Sequence, residues 1–405
     1  MGLELRTVRD EEMGGFLRAV GTGFGMVSPD EDDEYAVHLL PAERCLAVHD
    51  DEVVVATAGA FPFRLTVPGG ARVGVAAVTV VTVHPTHRRQ GLLRQMMDEQ
   101  LDDVARRGEP LAVLTASEAS IYERFGYGTA TFTTRWELAS EYAETGASAP
   151  RGGSVHLVEG DAACEAARAV YDVAAATRTG EIERPPEWWS PIFNRGKRGA
   201  RFFTAVHTGR EGRPDAFARY ALDQSWPDGV PSMTLRVIEI QAVDADAEAA
   251  LWNYLFGIDL VGTVQAVNRP VDEPLRWRLV DSRRLLVREL RDHLWVRIVD
   301  VASALGARSY GTEDAVVIEL NDAFRPANSG RWRIDGGPDG AACAPTSIEP
   351  DLTLSAPDLG ALYLGGVAPS TLAAAGRVTA RSEGALRRAD RFFTEQPLPW
   401  CTTHF

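Results

Sequence analysis

The chain has 405 residues, more than one hydrophobic core usually serves, since cores stop growing near about 250–300 residues. Its 45% hydrophobic and 24% charged residues give a globular composition and exclude a disordered or fibrous chain. Lys and Arg number 42 against 57 Asp and Glu, a net charge of −15. That balance argues against nucleic acid and anionic lipid as partners and favours cationic ligands.

Read in chain order, Leu3 to Val8 alternates as a strand does, and Asp10 to Phe24 follows as a helix that Gly21, Gly23 and Gly25 should end. Pro29 opens a second helix with an acidic first turn, Asp30 to Glu34, which suits the positive end of a helix dipole. The same run is a candidate rim for a cationic substrate. Cys45 to His49 and Val53 to Leu65 read as paired strands, and Ala71 to Val83 as a valine-rich strand buried on both faces. A helix runs from about Arg89 to Arg107, closed by Gly108. Leu111 to Thr115 is a short buried strand, Glu118 to Phe125 a short helix, and Thr129 to Leu138 a strand.

Ser148 to Gly153 reads as a linker. Beyond it come helices over Asp161 to Thr177 and Pro185 to Asn194. Strands follow over Arg201 to His207, Ala216 to Leu222 and Thr234 to Val243, then a helix over Asp246 to Phe256 and a strand over Leu260 to Val267. A third region starts near Arg288, with helices expected over Val296 to Leu305, Asp358 to Leu364 and Ser382 to Phe393. Its expected strands are Ala315 to Asn321, Gly330 to Asp335 and Asp351 to Ser355. The longest uncharged run, Leu359 to Gly376, holds four glycines and a proline and reads as an interior loop, not a membrane span. The first ten residues carry charges throughout, so no secretory apolar core is expected there.

Four scattered cysteines with no CxxC pair give no zinc knuckle, so no metal is expected, and they fit a reducing, cytoplasmic setting. HExxH, GxSxG and GxxxxGK[ST] patterns are absent. What remains is Val81-Thr82-Val83-His84-Pro85-Thr86-His87-Arg88-Arg89-Gln90-Gly91-Leu92-Leu93, a valine strand running through a basic loop into a helix. The first backbone N–H groups of a helix have no intrahelical partner and sit at its positive end, so they attract an anion. Arg88 and Arg89 add fixed charge, and Gly91 leaves the backbone open to a phosphate. Clustered arginines at a helix start would otherwise oppose the dipole. A second segment, Leu235 to Leu255, repeats the strand–turn–helix layout, but its turn is Asp244-Ala245-Asp246-Ala247-Glu248, which would repel a phosphate.

The first of these segments resembles the acetyl-CoA loop of the GCN5-related N-acetyltransferases. Ile121-Tyr122-Glu123-Arg124-Phe125-Gly126-Tyr127 matches that superfamily's Y-x-x-x-G-[FY] signature. Leu93 departs from it, since many members carry Gly or Ala there. Leu352-Thr353-Leu354-Ser355, Leu362-Tyr363-Leu364-Gly365-Gly366 and Gly376-Arg377-Val378-Thr379 are similar to a sterol-carrier-like domain. Over nearly all its length the chain resembles the enhanced intracellular survival (Eis) acetyltransferases of actinobacteria.

The resemblance implies an α+β chain with two tandem acetyltransferase folds, the second degenerate, and a C-terminal sterol-carrier-like domain. The expected boundaries are 1–147, 148–287 and 288–405. It implies acetyl-CoA as co-substrate, held by Val81, Thr82, Val83, Arg88, Arg89, Gln90, Gly91, Leu92, Leu93 and Arg94 on one side, and by Ser117 and Glu118 on the other. By motif position Tyr122 is the proton donor to the departing thiolate, with Tyr127 as rival. The carboxylate of Phe405 is the proton acceptor, and His404 an auxiliary candidate. The acceptor is expected to be a polyamine or aminoglycoside, with protein lysines as the alternative. A lipid or ligand carrier with a vestigial transferase is the rival from another class. By analogy the assembly is a homo-oligomer, a hexamer.

Overall fold

A computed structural model describes residues 2–25, 37–146, 152–194 and 201–405. The helix expected from Pro29 and the run Asp30 to Glu34 lie outside the described residues. The first stretch holds strands β1 (Glu4–Thr7), β2 (Cys45–Asp50), β3 (Val53–Thr66), β4 (Arg72–Val83), β5 (Leu111–Thr115) and β6 (Gly128–Thr129). Its helices are α1 (Met13–Phe24), α2 (Leu92–Arg106) and α3 (Ala119–Tyr122). Next come β7 (Phe132–Ala139), β8 (Ser154–Val158), β9 (Phe202–Thr208), β10 (Pro214–Asp223), β11 (Met233–Ala242), β12 (Val261–Arg269) and β13 (Leu286–Asp292), with α4 (Gly160–Thr177), α5 (Pro186–Asn194), α6 (Ala245–Phe256) and α7 (Leu275–Arg278). The last stretch holds β14 (Leu294–Ile298), β15 (Asp314–Asn321), β16 (Gly330–Gly337), β17 (Gly340–Pro345), β18 (Leu352–Ser355) and β19 (Thr379–Ala380), with α8 (Val301–Gly306), α9 (Ala356–Leu362), α10 (Pro369–Ala374) and α11 (Glu383–Phe393).

These elements form two compact units, one of residues 1–131 with 292–405 and one of residues 132–291. The first unit contains a seven-stranded sheet in the order β1-β2-β3-β4-β5-β14-β6 and a five-stranded sheet in the order β17-β16-β15-β18-β19. The second contains a seven-stranded sheet in the order β13-β7-β12-β11-β10-β9-β8. The two seven-stranded sheets share one plan. Four antiparallel strands lead to a single parallel pair, β4 with β5 in one and β11 with β12 in the other, and an antiparallel strand follows.

Two expectations fail on that sixth strand. Thr129 to Leu138 is not one strand: Gly128–Thr129 pairs with β14 in the first sheet, whereas Phe132–Ala139 pairs with β12 in the second. Leu294–Ile298, whose latter part was expected to begin a helix, is a strand filling the slot beside β5. All five of its side chains are buried, so the run Leu-Trp-Val-Arg-Ile lacks the polar face of an exposed helix. Each sheet thus completes itself with a strand distant in sequence, and the expected boundaries at 147 and 287 do not follow the compact units.

Smaller differences have local causes. Gly21 and Gly23 lie inside α1, and Gly25, at φ +70°, ends it. A Cβ on Gly23 would stand 2.6 Å from the Thr82 hydroxyl, so the glycine lets α1 close on β4. The uncharged run Leu359 to Gly376 carries the end of α9 and all of α10. Helix α9 rests directly on backbone: a Cβ on Gly128 would stand 2.6 Å from the Ala361 nitrogen. Among the described residues no helix is long and apolar enough to cross a membrane.

Candidate active site

The site starts from a defect in β4. Thr57 pairs with Thr82 and Gly59 with Thr79, so Val80 and Val81 together face the single residue Ala58. This is a β-bulge, which bends a strand and ends regular pairing. Val80 takes φ +49°, a strained value for a β-branched residue. Thr57 sustains it: its hydroxyl donates to the Val80 carbonyl at 2.7 Å and lies 2.8 Å from the Thr82 hydroxyl. On the other edge, β4 pairs with β5 only from Val75 to Ala77. Beyond Ala77 that pairing stops, which leaves the backbone of Thr79 to Val83 without a strand partner on that edge, an opening in the sheet.

The basic loop stands at the wide end of this opening. His84 to His87 form a 3-10 turn, held by His87 Nε2 at 3.2 Å from Asp50. Arg89 then adopts φ +64° and Gly91 φ +82°, and α2 starts with Gly91 as its N-cap and no side chain on its first N–H groups. The helix therefore begins at Leu92, not at Arg89. Arg88, Arg89, Gln90, Gly91 and Arg94 are exposed, Leu93 half-buried and Leu92 buried. Arg88 and Arg89 have no carboxylate partner among the described residues, and the Arg94 guanidinium lies 5.1 Å from the Phe324 ring centroid. Cations without a carboxylate partner beside free backbone donors are an arrangement that suits an anion. Leu93 packs against the core.

The other wall of the opening begins where β5 ends. Ser117 and Glu118 are exposed there, and α3 brings up Tyr122. Val81, Val83, Leu93, Ala116, Ile121 and Tyr122 all pack against one core cluster, so both walls share a base. The Tyr122 ring is half-buried, and its hydroxyl has no hydrogen-bond partner among the described residues. Burial, with the Glu118 carboxylate nearby, pushes its pKa up to about 12. Tyr127 stands edge-on to it, with ring centroids 6.0 Å apart. Tyr127 is fully buried in the cluster, and burial raises its pKa too. That placement makes Tyr127 a core residue and leaves Tyr122 as the accessible phenol.

The register places both tyrosines near the narrow end. Gly128 pairs with Val296, Val296 with Val113 and Val113 with Ala77, the last paired residue of β4. Phe405 arrives close by. It is 4% exposed, and its ring stands edge-on to Phe63, 6.0 Å between centroids. Phe63 stacks on Phe61 and pairs with Val75, two residues from Ala77.

The corresponding place in the second unit is closed. Strand β11 keeps a bulge, where Arg219 and Tyr220 face Glu239 and Val237, and its parallel pairing with β12 stops at Val237. At the start of α6, however, Asp244 accepts from the Asp246 and Ala247 N–H groups, both at 2.9 Å. A carboxylate of the chain itself occupies the donors that α2 leaves open. Behind the bulge, Glu239 is buried against Arg184 at 2.8 Å.

Comparison with known proteins agrees with this layout. Residues 4–130 and 180–298 each match an acetyltransferase (GNAT) domain, and residues 301–402 match a sterol carrier protein domain. An uncharacterized N-acetyltransferase of Streptomyces coelicolor is 42% identical, with 99% of each chain covered. N-acetyltransferase Eis of Mycobacterium tuberculosis is 34% identical, covering 95% of this chain and 94% of the relative.

The chain belongs to the Eis family of N-acetyltransferases.

The crystal structure of Eis1 from Mycobacterium abscessus superposes over the full length of both chains, with a TM-score of 0.88 and 32% identity. As an Eis-family protein the chain is an acetyltransferase enzyme with two acetyltransferase folds and a sterol-carrier-like domain. The superfamily's folds use acetyl-CoA as co-substrate. Sequence reasoning missed Thr57, Phe61 and Phe63, because a core threonine or phenylalanine carries no motif. It also missed Val80, whose strain is invisible in a run of valines.

Proposed function

We propose that this chain transfers the acetyl group of acetyl-CoA to an amine of a polycationic small molecule such as an aminoglycoside or polyamine. The observation that carries this reading is the contrast between two equivalent helices. The start of α2 is uncapped, cationic and set at an open strand pair, whereas the start of α6 is stoppered by Asp244. A vestigial transferase would have no reason to keep the first arrangement.

In this reading the residues expected from sequence share out the work. The N–H groups of Arg89 to Arg94, with Arg88 beside them, hold the pyrophosphate. The backbone of Val81, Thr82 and Val83 holds the pantetheine arm against the Ser117–Glu118 wall. The amine lone pair forms a bond to the thioester carbon, and the carbon–sulfur bond breaks. An N–H of the β4 edge, that of Val83 by family resemblance, steadies the carbonyl oxygen. Sulfur leaves as thiolate and takes a proton from Tyr122. With its pKa at about 12, that hydroxyl holds its proton at neutral pH and is available as donor. The attacking nitrogen gives up its extra proton through water to the Phe405 carboxylate, which is far too weak a base to strip an ammonium directly. The net charge of −15 supports a cationic acceptor. Four cysteines outside any disulfide support a cytoplasmic setting, and a homo-oligomer, a hexamer by family analogy, is the assembly that goes with this reading.

The test is acetyl transfer by the purified chain to aminoglycosides, polyamines and lysine peptides, with Tyr122→Phe alongside. Transfer to the small polycations is expected, with turnover in the variant reduced about 10²-fold or more while acetyl-CoA still binds. Transfer only to the peptides would replace the substrate class. No transfer to any amine would favour a carrier.

A further inference from the structure

We propose that His293 is a positioning residue of this active site: its backbone holds the segment that follows Tyr122, its imidazole holds the tail that ends in Phe405, and it thereby sets the spacing between them. The inference rests on the function proposed above.

The backbone half lies in the short strand pair beside the tyrosines. The His293 N–H donates to the Thr131 carbonyl at 3.0 Å, and the Leu294 N–H to the Thr131 hydroxyl at 2.9 Å. The Leu294 carbonyl accepts from both Ala130 and Thr131, at 2.9 and 3.1 Å. Trp295 and Val296 pair with Thr129 and Gly128. The four residues after Tyr127 are therefore fixed to the chain that starts at His293.

The side-chain half reaches the tail. The imidazole, on a residue only 6% exposed, donates to the Cys401 backbone carbonyl and stands edge-on to the His404 ring, 4.8 Å between centroids. Trp400 to Thr403 and Phe405 are buried, while His404 is exposed. Burial pushes the His293 pKa down to about 3, so the ring is neutral at physiological pH. A neutral imidazole has one N–H; here it is used on Cys401, and Nε2 has no partner. An apolar side chain would fill this space without burying an unpaired nitrogen, a cost of about 1–3 kcal/mol. The imidazole is explained by the one bond it makes, and that bond pins the tail four residues before Phe405.

The test compares His293→Phe, which fills the space without a donor, and His293→Asn, which keeps an N–H near Nδ1. The readouts are steady-state acetyl transfer and release of Phe405 by carboxypeptidase, followed by mass spectrometry. His293→Phe should lower kcat about tenfold or more, with KM for acetyl-CoA unchanged within about threefold, and should release Phe405 about tenfold faster. His293→Asn should restore both. Should His293→Phe fail to fold, His293→Gln, whose amide is displaced by one carbon, must show the same pair of losses. Parental kcat or parental protection of Phe405 in a folded variant lacking the correctly placed donor overturns the inference. A chain extended by one glycine separates the two claims. If it turns over normally, the carboxylate base falls, and with it the catalytic purpose of the clamp. If it is inactive while His293→Phe is not, the base stands and the positioning role falls.

Discussion

Gly126→Ala should be among the most damaging single-methyl changes in the first unit. Gly126 ends the turn that carries Tyr122 and sits at φ +88°, where an L side chain costs about 1–2 kcal/mol. Its new Cβ would also stand 2.6 Å from Cζ of Arg297. That guanidinium has no room to retreat: it is 0% exposed and pairs at 2.7 Å with Asp322, itself 1% exposed. Separating a buried pair costs about 3–5 kcal/mol. The two terms together reach about 4–7 kcal/mol, a large part of the roughly 5–15 kcal/mol that holds a domain together. Gly91→Ala is the internal control, because Gly91 has φ +82° but nothing within 4 Å of a Cβ. It should pay only the backbone term. Urea denaturation of the two variants and the parent measures the difference, and acetyl transfer reports the Tyr122 turn. A Gly126→Ala loss no larger than that of Gly91→Ala would mean that Arg297 yields freely, and the buried pair would not be the constraint described here.

Arg89→Gly removes a cation and relieves φ +64° together. Thermal stability should hold or rise, while the acetyl-CoA dissociation constant from calorimetry should rise about tenfold or more, the worth of one charge-assisted contact. Asp244→Ala opens the start of α6 and should cost about 1 kcal/mol of stability, read by differential scanning calorimetry, without loss of turnover. His293 makes the fold sensitive to acid. Its pKa is depressed in the folded chain, to about 3, so below about pH 6.5 the unfolded chain binds a proton that the folded chain does not. Its contribution is fully present above that pH and falls by about 1.4 kcal/mol per pH unit on the way down. Denaturation at about pH 7 and pH 5 should show parent and His293→Asn converging by roughly 2 kcal/mol at the lower pH; parallel curves would refute it.

Much of the proposed site was legible because its parts are contiguous. The loop from Val81 to Arg94 and the signature around Tyr122 are each one short run; residue type and order in the first imply an anion-binding turn, and resemblance to a family signature assigns the phenol of the second. Asp244 was legible for the same reason, and the structure shows the physical form of its repulsion, a carboxylate bonded to the N–H groups of its own helix. The signature favours Tyr122 over Tyr127 by position, and the full burial of Tyr127 in the core supports the same reading. Thr57 and His293 were illegible, because each acts on a partner far along the chain.

Residue pattern, helix-terminus chemistry and charge marked the basic turn before α2 and the acidic turn before α6, while the two acetyltransferase folds and the sterol-carrier-like domain were legible through the chain's resemblance to a known family. Only the tertiary structure decided which strand completes which sheet, and where the tail lies. Leu294–Ile298 and Phe132–Ala139 take their positions through pairing with Leu111–Thr115 and residues 263–269, partners far along the chain. Likewise, the contacts that place the six residues from Trp400 to Phe405 include those with Phe63 and His293, made across long sequence separations.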